Sequence, residues 1–157
     1  EYLLKHASVK SSTILKATFS HLSSRSLTSN GSLQLNSSIT IENTSDHNIS
    51  IRTIEIAFTT PVSVSNFIEV QLIKFNSEYI IENSRTISMK STPLIIKSHD
   101  VKVIEKLVFV SVDPLATQWK NEVRDNLTKG IKEIENVDAM ITLLSGEVIE
   151  TKINVIH

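Results

Sequence analysis

Three stretches of this chain carry residue types that could do chemistry. The most pointed is Ser98-His99-Asp100, a hydroxyl, an imidazole and a carboxylate in consecutive positions. A hydrolytic relay needs the imidazole hydrogen-bonded between the other two groups. In extended backbone, successive side chains point to opposite faces, so Ser98 and Asp100 face one way and His99 the other. We therefore read a polar corner between two strands and assign no catalytic residue. The second stretch, Glu42 to Asn48, is rich in oxygen, and Asp46-x-Asn48-x-Ser50 has the spacing of the first half of a calcium loop. Ile51 stands where that loop needs glycine, and Ala57 where it needs a bidentate glutamate. Turn stabilisation by side chains bonded to nearby backbone accounts for these residues better, so no metal ligand is assigned. The third is Trp119, the sole tryptophan, on an apolar stripe of helical period. It is expected to anchor a helix on a sheet through its large buried area; the sharper alternative is a partner-binding surface.

Other chemistries are excluded by residue type. There are no cysteines, so disulfides, thiolate nucleophiles and Cys-based zinc sites do not arise. The five histidines (His6, His21, His47, His99 and His157) show no paired metal-ligand spacing. The three glycines, at 31, 130 and 146, cannot form a phosphate-binding loop or a dinucleotide fingerprint. No cofactor is implied. A net charge of −1, without dense basic clusters or aromatic platforms, argues against nucleic acid as a partner. No run approaches the roughly 20 apolar residues of a membrane span.

The elements that would position these residues are mostly strands. The chain has 21 Ile, 13 Val and 14 Thr, side chains that are stiff in helices and pack well on a pleated surface. Residues 13–22 alternate as a first strand, after a tether over 1–12 and before a loop over 23–31. Leu33, Leu35, Ile39 and Ile41 share one face of the next strand. Beyond the polar turn, Ile49 and Ile51 lie in one phase, and Ile54, Ile56 and Phe58 in the other. A strand of period two cannot bury both sets, so a bulge near Arg52-Thr53 or a change of sheet is required. Pro61 is read as a break. Phe67 to Phe75 and Tyr79 to Ile81 read as a hairpin around Asn76-Ser77. Short strands follow at Thr86–Met89 and Leu94–Lys97, then a long central strand at Val101–Val112. Asp113-Pro114 is a helix start, with Asp at the cap and Pro in the first turn. Leu115, Trp119, Val123, Leu127 and Ile131 follow at steps of four, predicting a helix over 114–129. Residues 139–144 and 148–156 form a closing hairpin.

Glu42-Asn43-Thr44-Ser45-Asp46 followed by Ile49-Ser50-Ile51 resembles a corner in bacterial immunoglobulin-like and fibronectin-like modules. The segment from Pro93 to Val101 is similar to their Pro-containing stretch before a core strand. The resemblance implies a β-sandwich and no activity. It agrees with the strand spacing, which fits a sandwich of this kind. The expectation is a mainly β chain, a single domain over 1–157: an antiparallel immunoglobulin-like β-sandwich with one α-helix inserted before the last hairpin.

For function, the sequence points to a non-catalytic β-sandwich module, part of a larger protein, used for protein–protein interaction or structural support. The protein partner is not identified by the sequence. If binding occurs by strand addition, the exposed edge is expected near Thr86–Met89, with Ser88 and Lys90, besides Trp119, as interaction residues. The alternative is a small-ligand or carbohydrate-binding domain with a pocket between helix and sheet. The chain begins at Glu1 rather than Met, as expected of a processed form or an excised piece, which leaves room for a targeting or anchoring segment upstream. The sequence does not fix a location; an extracytoplasmic or membrane-associated one is slightly favoured.

Overall fold

The computed structural model describes residues 15–25, 32–64, 67–112 and 120–157. Its strands are β1 (Leu15–Arg25), β2 (Gln34–Asn43), β3 (Ile49–Val64), β4 (Phe67–Glu82), β5 (Arg85–Ser88), β6 (Leu94–Ile96), β7 (Val101–Ser111), β8 (Asn136–Leu143) and β9 (Val148–Ile156). Between β7 and β8 lie helix α1 (Lys120–Gly130) and a 3₁₀ turn (Ile131–Glu133). Trp119, the tether, the 26–31 part of the first loop and the predicted start of the helix fall outside the described residues.

The strands form one sheet, in the order β5-β4-β7-β2-β1-β9-β8-β3-β6, and an additional β4–β3 pairing joins its two arms. The ring β4-β7-β2-β1-β9-β8-β3 is thus a closed seven-stranded barrel. This corrects the immunoglobulin-like sandwich. Alternation of apolar and polar residues says that each strand has one buried face, and two facing sheets and one closed sheet satisfy that equally well. The distinction rests on β3 and β4, each 16 residues long. Residues 55–57 of β3 pair on one edge with β8 and on the other with β4, while Ile51 pairs with β8 and β6. β6 therefore continues the edge that β4 leaves. By the same reasoning β5 continues the edge of β4 that β3 leaves, because Phe75 and Asn76 pair with β3 and β7, and Tyr79–Ile81 with β7 and β5. The remaining seam is parallel and short: Thr18, Phe19 and Ser20 of β1 face Asn154, Val155 and Ile156 of β9.

Two further expectations are corrected at the same place. Pro61 lies inside β3, and Asn76-Ser77 is no turn but part of a continuous β4. Pro61 is tolerated because, among the described pairings, residues 58–64 have β4 on one edge and nothing on the other. The turn comes later, at Asn83 (φ 51°) and Ser84 (φ 64°), a two-residue left-handed loop suited to a hairpin.

Closure requires local kinks, and bulges supply them. Register shifts occur in β1 at Ser20–Ser23, in β7 opposite Ser38, in β3 between Ile51 and Thr53, and in β4 between Ser77 and Tyr79. The third is the bulge demanded by the phase slip: Ile49, Ile51, Ile54 and Ile56 are all buried. A bulge strands backbone groups, and serines take them up. Ser37 Oγ donates to Ser20 O (3.0 Å), Ser38 Oγ donates to Glu105 O (2.8 Å), and Ile54 N donates to Ser77 Oγ (2.8 Å). The buried apolar side chains make one contiguous core. At its centre the Phe19 and Phe109 rings meet edge to face, centroids 5.7 Å apart. Leu127 of α1 and Ile131 join this core, as their place on the stripe predicts, and α1 packs against β3 and β1.

Candidate functional site

The two polar stretches of the sequence meet at one end of the barrel. Asn43 is fully buried: its Nδ2 donates to His47 O (2.9 Å) and Ile96 O (3.0 Å), and its Oδ1 accepts from Ser45 N (2.9 Å) and Ser45 Oγ (2.7 Å). Every hydrogen-bonding group of its amide is used in closing the β2–β3 turn and tying it to β6. Ser98 Oγ donates to Ser45 O (2.7 Å), His99 lies 2.8 Å from Asp46 through Nε2, and Asp100 accepts from Val101 N (2.9 Å). The three triad residue types thus serve three different partners, and His99 sits in left-handed backbone (φ 55°) that turns it away from its neighbours. The His99–Asp46 contact is exposed on both sides, 63% and 96%, where an ion pair is worth little. This corner is built to join strands.

A more suggestive surface lies on the outside of β4-β3-β8-β9. There the pairings line up side chains in rows across the sheet. One row is Lys74, Ala57, Asp138 and Lys152; the next, two residues along each strand, is Asn76, Glu55, Met140 and Glu150. Ala57 has the smallest side chain in either row, so the sheet is indented over it, and a groove of about 460 Å³ opens between β4 and β9. A second concavity of about 210 Å³ shares Ala57, Leu72, Asp138 and Lys152 with it and continues toward Ile134 and Asn136. Leu72 is 50% exposed and Met140 39% exposed on this face. Asp138 is 3.8 Å from Lys152. Glu55 and Glu150 flank Met140 with no ion-pair partner among the described residues.

A third concavity lies at the strand ends, between His47–Ser50 and Leu143–Glu147. None of these three borders the described part of α1; the helix–sheet pocket expected at Trp119 falls outside the described residues, and the interior holds the buried Phe19, Phe75, Phe109 and their aliphatic neighbours. Of the interaction residues expected from sequence, Ser88 ends β5 opposite Tyr79 and is exposed, and Lys90 is exposed in the turn that follows. Neither borders the groove.

The sequence did hold a signal for the groove. Leu72 precedes buried Ile73, and Met140 stands between buried Ala139 and Ile141. Both put a large apolar side chain in an outward phase.

No family model matches the chain, and no curated protein matches it. Among solved structures it is similar to the solution structure of a candidate late embryogenesis abundant (LEA) protein. The TM-score is 0.39 and the identity 12%, over 97% of this chain and 74% of that one. Among the described residues no helix is long and apolar enough to cross a membrane.

Proposed function

We propose that this chain is a non-catalytic binding module that accepts an extended segment of a partner protein in the outer groove over β3 and β8. The observation that carries this is the exposed pair Leu72 and Met140 beside the Ala57 indentation. Large apolar side chains held at the rim of a concavity, on a face otherwise charged, are the usual mark of an interaction surface. Selection of displayed ten-residue peptides on the chain tests it, using Ala57→Arg as the blocked control. Peptides held by the native chain should be lost on Ala57→Arg; equal retention on both would rule the groove out.

A second surface suits strand addition. Asn43 N donates to Asp100 O, so by antiparallel alternation Val101 and Val103 turn their N–H and C=O groups away from β2. β4 pairs with β7 only from Lys106 onward, which leaves this edge without a ladder among the described residues, although the Val101 N–H is bonded to Asp100 Oδ1. Val103 is 65% exposed there. Peptides that use this edge should survive Ala57→Arg and fail on Val103→Pro, a substitution that removes an N–H β2 does not use.

A further inference from the structure

Resting on the groove reading, we infer that the partner segment carries an aliphatic and a cationic side chain two residues apart, the first seated on Ala57 and the second lying across Met140 between Glu55 and Glu150. The spacing comes from the sheet. The Ala57 row and the Met140 row are two residues apart along each strand, roughly 6.6–6.8 Å. An extended peptide lying along β3 repeats its inward side chains at that same interval. An aliphatic group at one position meets Ala57 beneath it and Leu72 and Met140 beside it.

The charge comes from the second row. Glu55, Met140 and Glu150 stand directly opposite one another on β3, β8 and β9. The two carboxylates are thus two strand spacings apart, roughly 9–10 Å, with a thioether between them. A Lys or Arg stem can cover Met140 while its head reaches toward a carboxylate on either side, the usual way such side chains divide an apolar stem from a charged tip. The neighbouring row is different. Its Asp138 is already beside Lys152, and Lys74 stands at its other end, so a cation there would meet two like charges. Lys74 is diagonal to Glu55 and offsets part of its charge; Lys152, two residues along β9 from Glu150, is already beside Asp138. Three carboxylates (Glu55, Asp138, Glu150) stand against two lysines (Lys74, Lys152) in the groove lining, so an acidic segment is disfavoured at this position. The order of the two partner residues sets the direction of the segment along β3; their spacing does not depend on it.

The peptides from the same selection give the test. Those sensitive to Ala57→Arg should be enriched for Val, Leu or Ile two positions from Lys or Arg, in one order or the other. For one such peptide, Glu55→Gln and Glu150→Gln should each weaken binding by up to about five-fold, as for exposed ion pairs, and 0.5 M salt should have a similar effect. Glu55→Lys/Glu150→Lys should weaken it on the order of ten-fold or more, because attraction becomes repulsion. Groove-dependent peptides with no basic preference, or with an acidic one, would overturn this inference and leave the groove reading standing. Equal affinity for the native chain and the double lysine variant would do the same. If no peptide distinguishes the native chain from Ala57→Arg, both fail.

Discussion

Replacing Ser77 by alanine isolates the contribution of the serines to barrel closure. Ser77 is 6% exposed, and its Oγ accepts the Ile54 N–H at 2.8 Å, where β3 emerges from its bulge and β4 enters its own. The substitution removes one oxygen and leaves the backbone in place. It strands a buried N–H that water cannot reach, and such a group costs about 1–3 kcal/mol. The loss of volume is a single atom, so a cavity contributes little beside this. For a chain of this length each kcal/mol lowers Tm by about 2–4 °C. Urea unfolding of the native chain and Ser77→Ala, with unchanged m-value, measures the difference. Amide exchange at Ile54 should accelerate more than exchange at Ile141, its partner on β8. A destabilisation below about 0.5 kcal/mol, with Ile54 exchange unaltered, would show that the bulge does not depend on this hydroxyl. It would also refute the claim that the serines offset the cost of closure.

Three other outcomes follow from the same geometry. Phe109→Ala removes one ring of the edge-to-face pair with Phe19 at the barrel centre, and should cost about 3–5 kcal/mol by chemical denaturation. Asn43→Ala removes an amide that makes four hydrogen bonds in full burial. It should cost several kcal/mol, since carbonyls of both His47 and Ile96 lose their donor, and amide exchange in the turn and in β6 should rise together. Asp46→Asn, by contrast, alters an exposed pair with His99 and should change stability by less than about 1 kcal/mol; a larger loss would mean that the corner depends on that contact.

How much of this was legible in the sequence depends on how local each feature is. The strand faces were legible because a period of two is written in neighbouring residues: Leu33, Leu35, Ile39 and Ile41, and again Ala139, Ile141 and Leu143. The β3 bulge was legible for the same reason, since Ile51 and Ile54 contradict each other's phase within three residues. The polar corner was also local, but the alternation used to set aside Ser98-His99-Asp100 does not apply, because the segment is a turn with His99 in left-handed backbone; the three side chains are separated by that turn instead. Closure was not legible. Whether residues 55–64 pair with residues 67–76 while Ile49–Ile51 pair with Leu94–Ile96 is a matter of long-range partners. Nothing in the alternation of either segment names them. The break assigned to Pro61 and the turn assigned to Asn76-Ser77 were errors of one kind: local punctuation was overridden by pairing that reaches across the fork.

That fork also makes the groove. Beyond Ala57, β3 has left β8, and before Phe75, β4 has not yet met β7, so the two strands continue together as a ribbon past the rim of the barrel. Leu72 and Lys74 are presented by this ribbon, whereas Asp138, Met140, Glu150 and Lys152 belong to β8 and β9. The groove lies where β3 passes from wall to ribbon at Ala57, a position where a larger side chain would fill it. It is the pairing of β3 with β4 on one edge and β8 on the other that puts Leu72 and Met140 on one surface. The exchange of partners that closes the barrel is therefore the same event that brings two outward apolar residues, 68 positions apart in the chain, to the two sides of one concavity.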